Sequence, residues 1–81
     1  MKVHLLFFAS YRDIAGESAM DIDLPDASTV SDCAAALKKR YPRFVDVLPK
    51  GRVAVNLEIV DESHQLHDGD EVAFMPPMSG G

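Results

Sequence analysis

Thr29-Val30-Ser31-Asp32-Cys33-Ala34-Ala35-Ala36-Leu37-Lys38-Lys39-Arg40-Tyr41-Pro42 is the stretch on which the fold turns, because it reads as a helix with a marked start and a marked stop. Val30, Ala34, Leu37 and Tyr41 recur at helical spacing and form one apolar stripe. Thr29-x-x-Asp32 offers a capping arrangement, in which the hydroxyl accepts from an exposed backbone N–H and the carboxylate favours the positive end of the helix. Lys38, Lys39 and Arg40 fall near the negative C-terminal end, and Pro42 stops the helix just beyond Tyr41. That helix end accounts for the three cations without any phosphate ligand.

On the N-terminal side the chain is β-prone. From Lys2 to Ala9, Val3, Leu5 and Phe7 share one phase while His4, Leu6 and Phe8 share the other, so both faces are apolar near the end of the run. Ser10 to Gly16 reads as a turn or a short helical piece closing on a glycine suited to positive φ. Ser18 to Leu24 alternates, with Met20, Ile22 and Leu24 against Asp21 and Asp23, which predicts a half-buried strand broken by Pro25-Asp26-Ala27-Ser28.

Beyond the helix, Arg43 to Arg52 carries Pro49 and Gly51 and reads as a connecting loop with room for one helical turn around Phe44 to Leu48. Val53 to Asn56 and Ile59-Val60 are short β-prone pieces around Leu57-Glu58, and alternation alone leaves their register open. Asp61 to Gln65 is polar, Asp68-Gly69-Asp70 makes a turn, and Glu71 to Met75 forms a last strand with Val72 and Phe74 in the buried phase. The order is strand, strand, helix, strand, strand, strand. One main helix packed on one face of a mixed sheet of about five strands buries those apolar phases most economically, which is an α+β, β-grasp (ubiquitin-like) architecture.

With 81 residues the chain holds one domain, expected over residues 1–75 with an extended tail over 76–81. So small a body has little room for a walled cleft, so chemistry is expected at an edge or with a partner. Apolar residues make up 47% and charged residues 26%, which excludes a disordered composition. The net charge of −5 would repel nucleic acid. No apolar run approaches the roughly 20 residues of a membrane span, and the N-terminal stretch lacks a small-residue cleavage site. A cytoplasmic protein is expected. Cys33 stands alone, which rules out an internal disulfide.

Phe74-Met75-Pro76-Pro77-Met78-Ser79-Gly80-Gly81 runs from the last strand to the final residue. Pro76 and Pro77 cannot continue a ladder, and their fixed φ favours an extended polyproline conformation, so the chain leaves the domain stiffly. Six residues from Pro76 reach at most about 20 Å at roughly 3.3 Å each, enough to enter a pocket of a neighbouring protein. Gly80 and Gly81 have no side chains and can thread a narrow channel. A terminal carboxylate is ionised and a poor electrophile, so chemistry on it needs activation, which adenylation by ATP would supply. The chain has no phosphate-binding loop and no metal cluster, so nucleotide and Mg²⁺ would be held by a separate activating enzyme. On residue type alone, a Gly-Gly end is equally a floppy terminus.

Leu66-x-Asp68-Gly69-Asp70-Glu71-Val72-Ala73-Phe74-x-Pro76-Pro77-x-Ser79-Gly80-Gly81 resembles the C-terminal signature of the MoaD family, the small subunits of molybdopterin synthase. The run Leu6-Phe7-Phe8-Ala9-x-x-Arg12-x-x-x-Gly16, the Thr29-Val30 helix start and the Ala54-Val55-Asn56 strand extend the resemblance over nearly the whole chain. Met75 and Met78 stand where an aromatic and a β-branched residue are frequent in that family. The resemblance implies a sulfur carrier, catalytically inert alone. Gly81 would be adenylated by a MoeB-like enzyme and converted to a thiocarboxylate. Pro76, Pro77, Met78, Ser79 and Gly80 would thread it into the active site of a MoaE-like large subunit. There it would donate sulfur to the cyclic pyranopterin precursor, in a heterotetramer of two small and two large subunits.

With one sheet face under the helix, apolar residues of the opposite phase mark a docking patch. Phe8 and Met75 are in that phase, and the resemblance adds Ile59. Taken singly, these are also ordinary surface hydrophobes. Cys33 lies beside the helix stripe and reads as a buried structural thiol rather than a sulfur-bearing group. His64-x-x-His67 has no further ligands at hand and reads as solvated rather than metal-binding. Asp21, Asp23 and Asp26 miss the calcium-loop pattern. Arg12 fits the family pattern without a role that spacing can assign. The rival functions are a thiamine-pathway carrier resembling ThiS, a ubiquitin-like modifier joined through Gly81 to lysines, and a plain binding module.

Overall fold

A computed structural model describes residues 1–77. Along the chain come β1 (Lys2–Phe7), α1 (Ser10–Ala15), β2 (Ala19–Asp23), α2 (Val30–Arg40), two 3₁₀ turns (Pro42–Phe44 and Leu48–Lys50), β3 (Arg52–Val55), β4 (Glu58–Val60) and β5 (Glu71–Met75). The five strands form one sheet in the order β2-β1-β5-β3-β4. β5 runs parallel to β1 and antiparallel to β3, while the outer pairs β1–β2 and β3–β4 are antiparallel. The expected β-grasp arrangement is therefore present, with α2 covering one face.

Register assigns each side chain to a face. Val3, Leu5 and Phe7 of β1 lie opposite Ile22 and Met20 of β2 on one side and Val72 and Phe74 of β5 on the other. Val53 and Val55 of β3 oppose Phe74 and Val72. This face joins Val30, Cys33 and Leu37 of α2 in one core. Near the C-terminal end of β5 the core becomes aromatic. Phe7 stacks on Phe74 at 6.0 Å and on Phe44 at 5.8 Å, and Tyr11 and Tyr41 meet Phe44 edge-on.

The helix start is capped as its sequence predicts. The Thr29 N–H donates to the Asp32 carboxylate at 2.9 Å, and the Asp32 N–H donates to the Thr29 hydroxyl at 3.3 Å. Two further donors of the first turn are met by the polar loop, since the Val30 and Ser31 N–H groups donate to the carbonyls of His64 and Glu62. That loop is thus exposed in its side chains but tied down by its backbone.

Two local expectations shift. The helical turn expected around Phe44 to Leu48 is replaced by two 3₁₀ turns on either side of Val45–Val47, each started by a proline, Pro42 or Pro49, in its first positions. Proline already holds the φ such a turn needs and lacks the N–H that its start would leave unpaired. The connection between β3 and β4 is a two-residue turn in which Asn56 and Leu57 both have positive φ, 51° and 72°. Asn56 is held there by donating to Asp70 and accepting from the Glu71 N–H, both at 3.0 Å. Leu57 has no such support and is 93% exposed.

A left-handed residue with a Cβ costs about 1–2 kcal/mol, against the 0.5–1 kcal/mol of extra chain entropy that glycine loses on folding. Leu57→Gly should therefore stabilise the fold by about 0.5–1 kcal/mol, raising Tm by roughly 2–8 °C in thermal denaturation. A lowered Tm would show that the leucine side chain supports the turn.

Candidate functional site

The site is built where the last strand ends. β5 lies in the middle of the sheet with a ladder on each side, so the chain leaves from the centre of the molecule rather than from a frayed edge. The final pairing on one side is Met75 with Arg52, and on the other the Phe8 N–H donates to the Phe74 carbonyl at 3.3 Å. Pro76 has no N–H with which to extend either ladder. Pro76 is half-buried and Pro77 exposed. Met78, Ser79, Gly80 and Gly81 lie outside the described residues.

Around this exit the face not covered by α2 presents apolar surface. Ile59, Ala54, Ala73, Leu6 and Ala19 form one row across all five strands, each opposite the next in register. The pairing of Ile59 with Ala54 settles what alternation left open, because Ala54 shares its face with Ala73 and Leu6. Ile59 is 58% exposed and Phe8 48% exposed. Phe8, Ile59 and Met75 thus share one face and line a shallow depression with Pro76 and Pro77, beside the exposed Lys50 and Arg52. No carboxylate among the described residues lines it, although the chain as a whole carries a net charge of −5.

The three hydrophobes singled out from the sequence therefore come together, and Pro76 and Pro77 join them. The alanine floor and the two cations were not anticipated. Ala73 and Leu6 were accessible from the phase opposite Phe74 and Phe7, whereas Lys50 and Arg52 reach the exit only through the path of the 42–51 segment. Arg12 stands exposed on α1 and does not itself line the depression, although its N–H donates to the carbonyl of Ala9 at the rim, at 3.1 Å.

The remaining chemistry-bearing side chains lie elsewhere. Cys33 is fully buried under the sheet, and burial pushes its thiol up to about 12 because a thiolate there would lose its solvation. His67 lies 3.9 Å from the Asp70 carboxylate, and the His64 carbonyl serves α2. His4 shares a hydrogen bond with Asp21 on the open face, at the end away from the exit. No group of three or more candidate metal ligands occurs among the described residues. No helix of the described residues is long and apolar enough to cross a membrane.

A five-stranded mixed sheet with one helix on one face, its other face apolar beside the C-terminal exit, is the ubiquitin-like β-grasp fold. Residues 5–81 match the ThiS family, and the chain belongs to that family. It is 35% identical over 83 residues to the molybdopterin synthase sulfur carrier subunit of Chlamydomonas reinhardtii, covering the whole of both chains. It is 31% identical over 94 residues, again covering both chains, to small archaeal modifier protein 3 of Haloferax volcanii. Among solved structures, a putative molybdopterin converting factor subunit 1 from Pyrococcus furiosus superposes with a TM-score of 0.88 at 32% identity, with 96% of this chain and 99% of that one covered. A chain from the complex of subunits 1 and 2 of the molybdopterin-converting factor of Helicobacter pylori superposes with a TM-score of 0.70 at 26% identity, with both chains fully covered.

Burial both keeps reagent from Cys33 and disfavours its thiolate, the form that reacts, so the native thiol should be inert. Alkylation of the native protein with iodoacetamide at pH 8 should leave Cys33 unmodified over hours, and unfolding in guanidinium should make it react within minutes. Rapid alkylation of the native chain would show that α2 opens readily.

Proposed function

We propose that this chain is the sulfur-carrier small subunit of a molybdopterin synthase, working through Gly81. The observation that carries the reading is the joining of an open apolar face to a segment that leaves from the centre of the sheet. Full-length similarity to named molybdopterin synthase sulfur carrier subunits supports it. The Helicobacter pylori complex supports a large subunit as the partner.

In this reading the carboxylate of Gly81 attacks the α-phosphorus of ATP on a MoeB-like activating enzyme, which holds nucleotide and Mg²⁺, and pyrophosphate leaves. A sulfide-level donor then attacks the acyl carbon and AMP leaves, giving the thiocarboxylate. Its sulfur is a soft, weakly solvated nucleophile, and the arm delivers it into the active site of a MoaE-like large subunit at high effective concentration. The domain contributes docking and aim, while the large subunit supplies the catalytic groups. Pro76, Pro77, Met78, Ser79 and Gly80 form the arm, and Phe8, Ile59 and Met75 dock. Two carriers and two large subunits assemble into a heterotetramer in the cytoplasm.

The test is incubation with the activating enzyme, ATP, Mg²⁺ and a sulfur donor, followed by intact-mass analysis. The expected result is replacement of one C-terminal oxygen by sulfur, and its loss when Gly81 is deleted or followed by an extra residue. Lysine-linked conjugates in place of that mass change would favour a modifier role, which the likeness to the archaeal modifier keeps in view. Transfer to a thiazole-forming enzyme instead of a large subunit would favour the thiamine pathway.

Burying an Ile59-sized side chain contributes about 1.5–3 kcal/mol, and burying an unpaired carboxylate in its place costs more. Ile59→Asp should therefore weaken association with the large subunit at least about 50-fold by calorimetry. Tm should stay within a few degrees, because Ile59 is already 58% exposed in the free chain. Unchanged affinity would remove the open face from the docking surface.

A further inference from the structure

Gly51, between the second 3₁₀ turn and β3, stands where no side chain fits. A Cβ at this position would lie 2.3 Å from the Met75 carbonyl oxygen and 2.3 Å from the Tyr11 hydroxyl. Non-bonded heavy atoms rest at roughly 3.5 Å, so both contacts are excluded. The backbone of Gly51 is extended, with φ −94°, a conformation open to any residue. What the position demands is space.

The two obstacles differ in what they can yield. Tyr11 is buried, its ring packs edge-on against Phe44 at 5.6 Å, and its hydroxyl donates to the Val47 carbonyl at 2.6 Å. It is locked at both ends. The Met75 carbonyl belongs to the last strand residue, and its bond lies in the plane of the Met75–Pro76 peptide. Turning that oxygen turns the whole plane, and with it the direction in which Pro76 leaves. Because the prolines fix their own φ, the new direction carries outward. Six residues can reach at most about 20 Å, so a turn of about 30° at their root could move the end by up to roughly 10 Å.

We propose that Gly51 and Tyr11 are positioning residues that aim the arm: the clearance at Gly51, closed behind by the Tyr11 hydroxyl, sets the plane of the Met75–Pro76 peptide and so where the terminal acyl group is delivered. This rests on the carrier reading for its consequence but not for its geometry. A purely structural glycine would affect folding and docking alone. An aiming glycine affects transfer with docking intact, and its effect vanishes once the arm is no longer stiff.

Two measurements on the full chain separate these. The first needs no partner. A nitroxide is attached at Ser79→Cys, with Cys33 protected by burial, and the broadening of backbone amide resonances maps where the arm points. Gly51→Ala should change which open-face amides are broadened while the rest of the spectrum keeps the native fold, and an unchanged pattern would overturn the proposal.

The second is single-turnover sulfur transfer from the thiocarboxylate to the large subunit. Gly51→Ala should slow it about tenfold or more, with affinity changed less than about threefold. Adding Pro77→Gly should bring the double variant to the rate of Pro77→Gly alone, whereas losses that multiply, or a Gly51→Ala rate equal to the parent's, would overturn the aim. Should Gly51→Ala not fold, Tyr11→Phe frees the 42–51 segment by removing the bond to Val47. It should slow transfer about two- to fivefold, masked again by Pro77→Gly. A parental rate for Tyr11→Phe would count equally against the proposal. If the parent itself transfers no sulfur, the carrier reading fails, and the nitroxide experiment still decides the geometry.

Discussion

The structure depends on one pairing, the parallel ladder between β1 and β5. It places the last strand of the sequence at the centre of the sheet, with β3 closing its other side. A parallel neighbour cannot be reached by a hairpin, so the intervening chain must cross over the sheet, and α2 makes that crossing. The core follows, because the crossing helix covers the face bearing Val3, Leu5, Phe7, Val72 and Phe74. The opposite face follows too, since no helix among the described residues lies over Leu6, Ala73 and Ile59. An arm leaving a central strand is anchored by two ladders, and a load on it is spread over the whole sheet.

Elements were legible in the sequence wherever one physical signal acted alone. The alternation in β2, the proline stop after Tyr41 and the Thr29–Asp32 capping box each needed only neighbouring residues. The face occupied by Ile59 was not legible, because it depends on the turn before it. Asn56-Leu57 adopts positive φ without a glycine to announce it, the asparagine being held by Asp70 and Glu71 from another strand. The 42–51 segment was opaque for a similar reason. Its 3₁₀ turns satisfy few local rules, and what orders them is contact with Phe44, Leu48 and Tyr11 in the core. Of the site, Phe8 and Met75 could be placed by phase and the prolines by chemistry. Gly51 could not be singled out, since in sequence it is one more glycine in a loop, and its role exists only where Met75 and Tyr11 converge.

The distribution of charge also follows from the fold rather than from composition. A chain of net charge −5 shows two cations at the root of its arm because the 42–51 segment delivers Lys50 and β3 begins with Arg52. On the same face, at the far end, Asp21, Asp23 and Glu71 lie beside Lys2 and His4. The open face is thus graded from a basic end, where the chain leaves, to a mixed end with more acids. A partner surface with carboxylates around its channel would be drawn to one end and held off the other, which orients the encounter before the apolar contacts close.

Sulfur chemistry sets one further constraint, which the core meets. In the proposed reading the carrier meets sulfide-level donors and an acyl adenylate, and a second thiolate on it could intercept the activated carbonyl or scavenge the sulfur. Cys33 is the only thiol, and it sits beneath the sheet with its ionisation pushed up to about 12 by burial. The tyrosine nearest the exit, Tyr11, is likewise buried, and burial raises its pKa above the ordinary phenol value. The same packing that builds the aromatic core under the arm therefore keeps those nucleophiles protonated and out of reach. In the proposed reading the reactive group is then the terminal carboxyl of Gly81, which a partner activates.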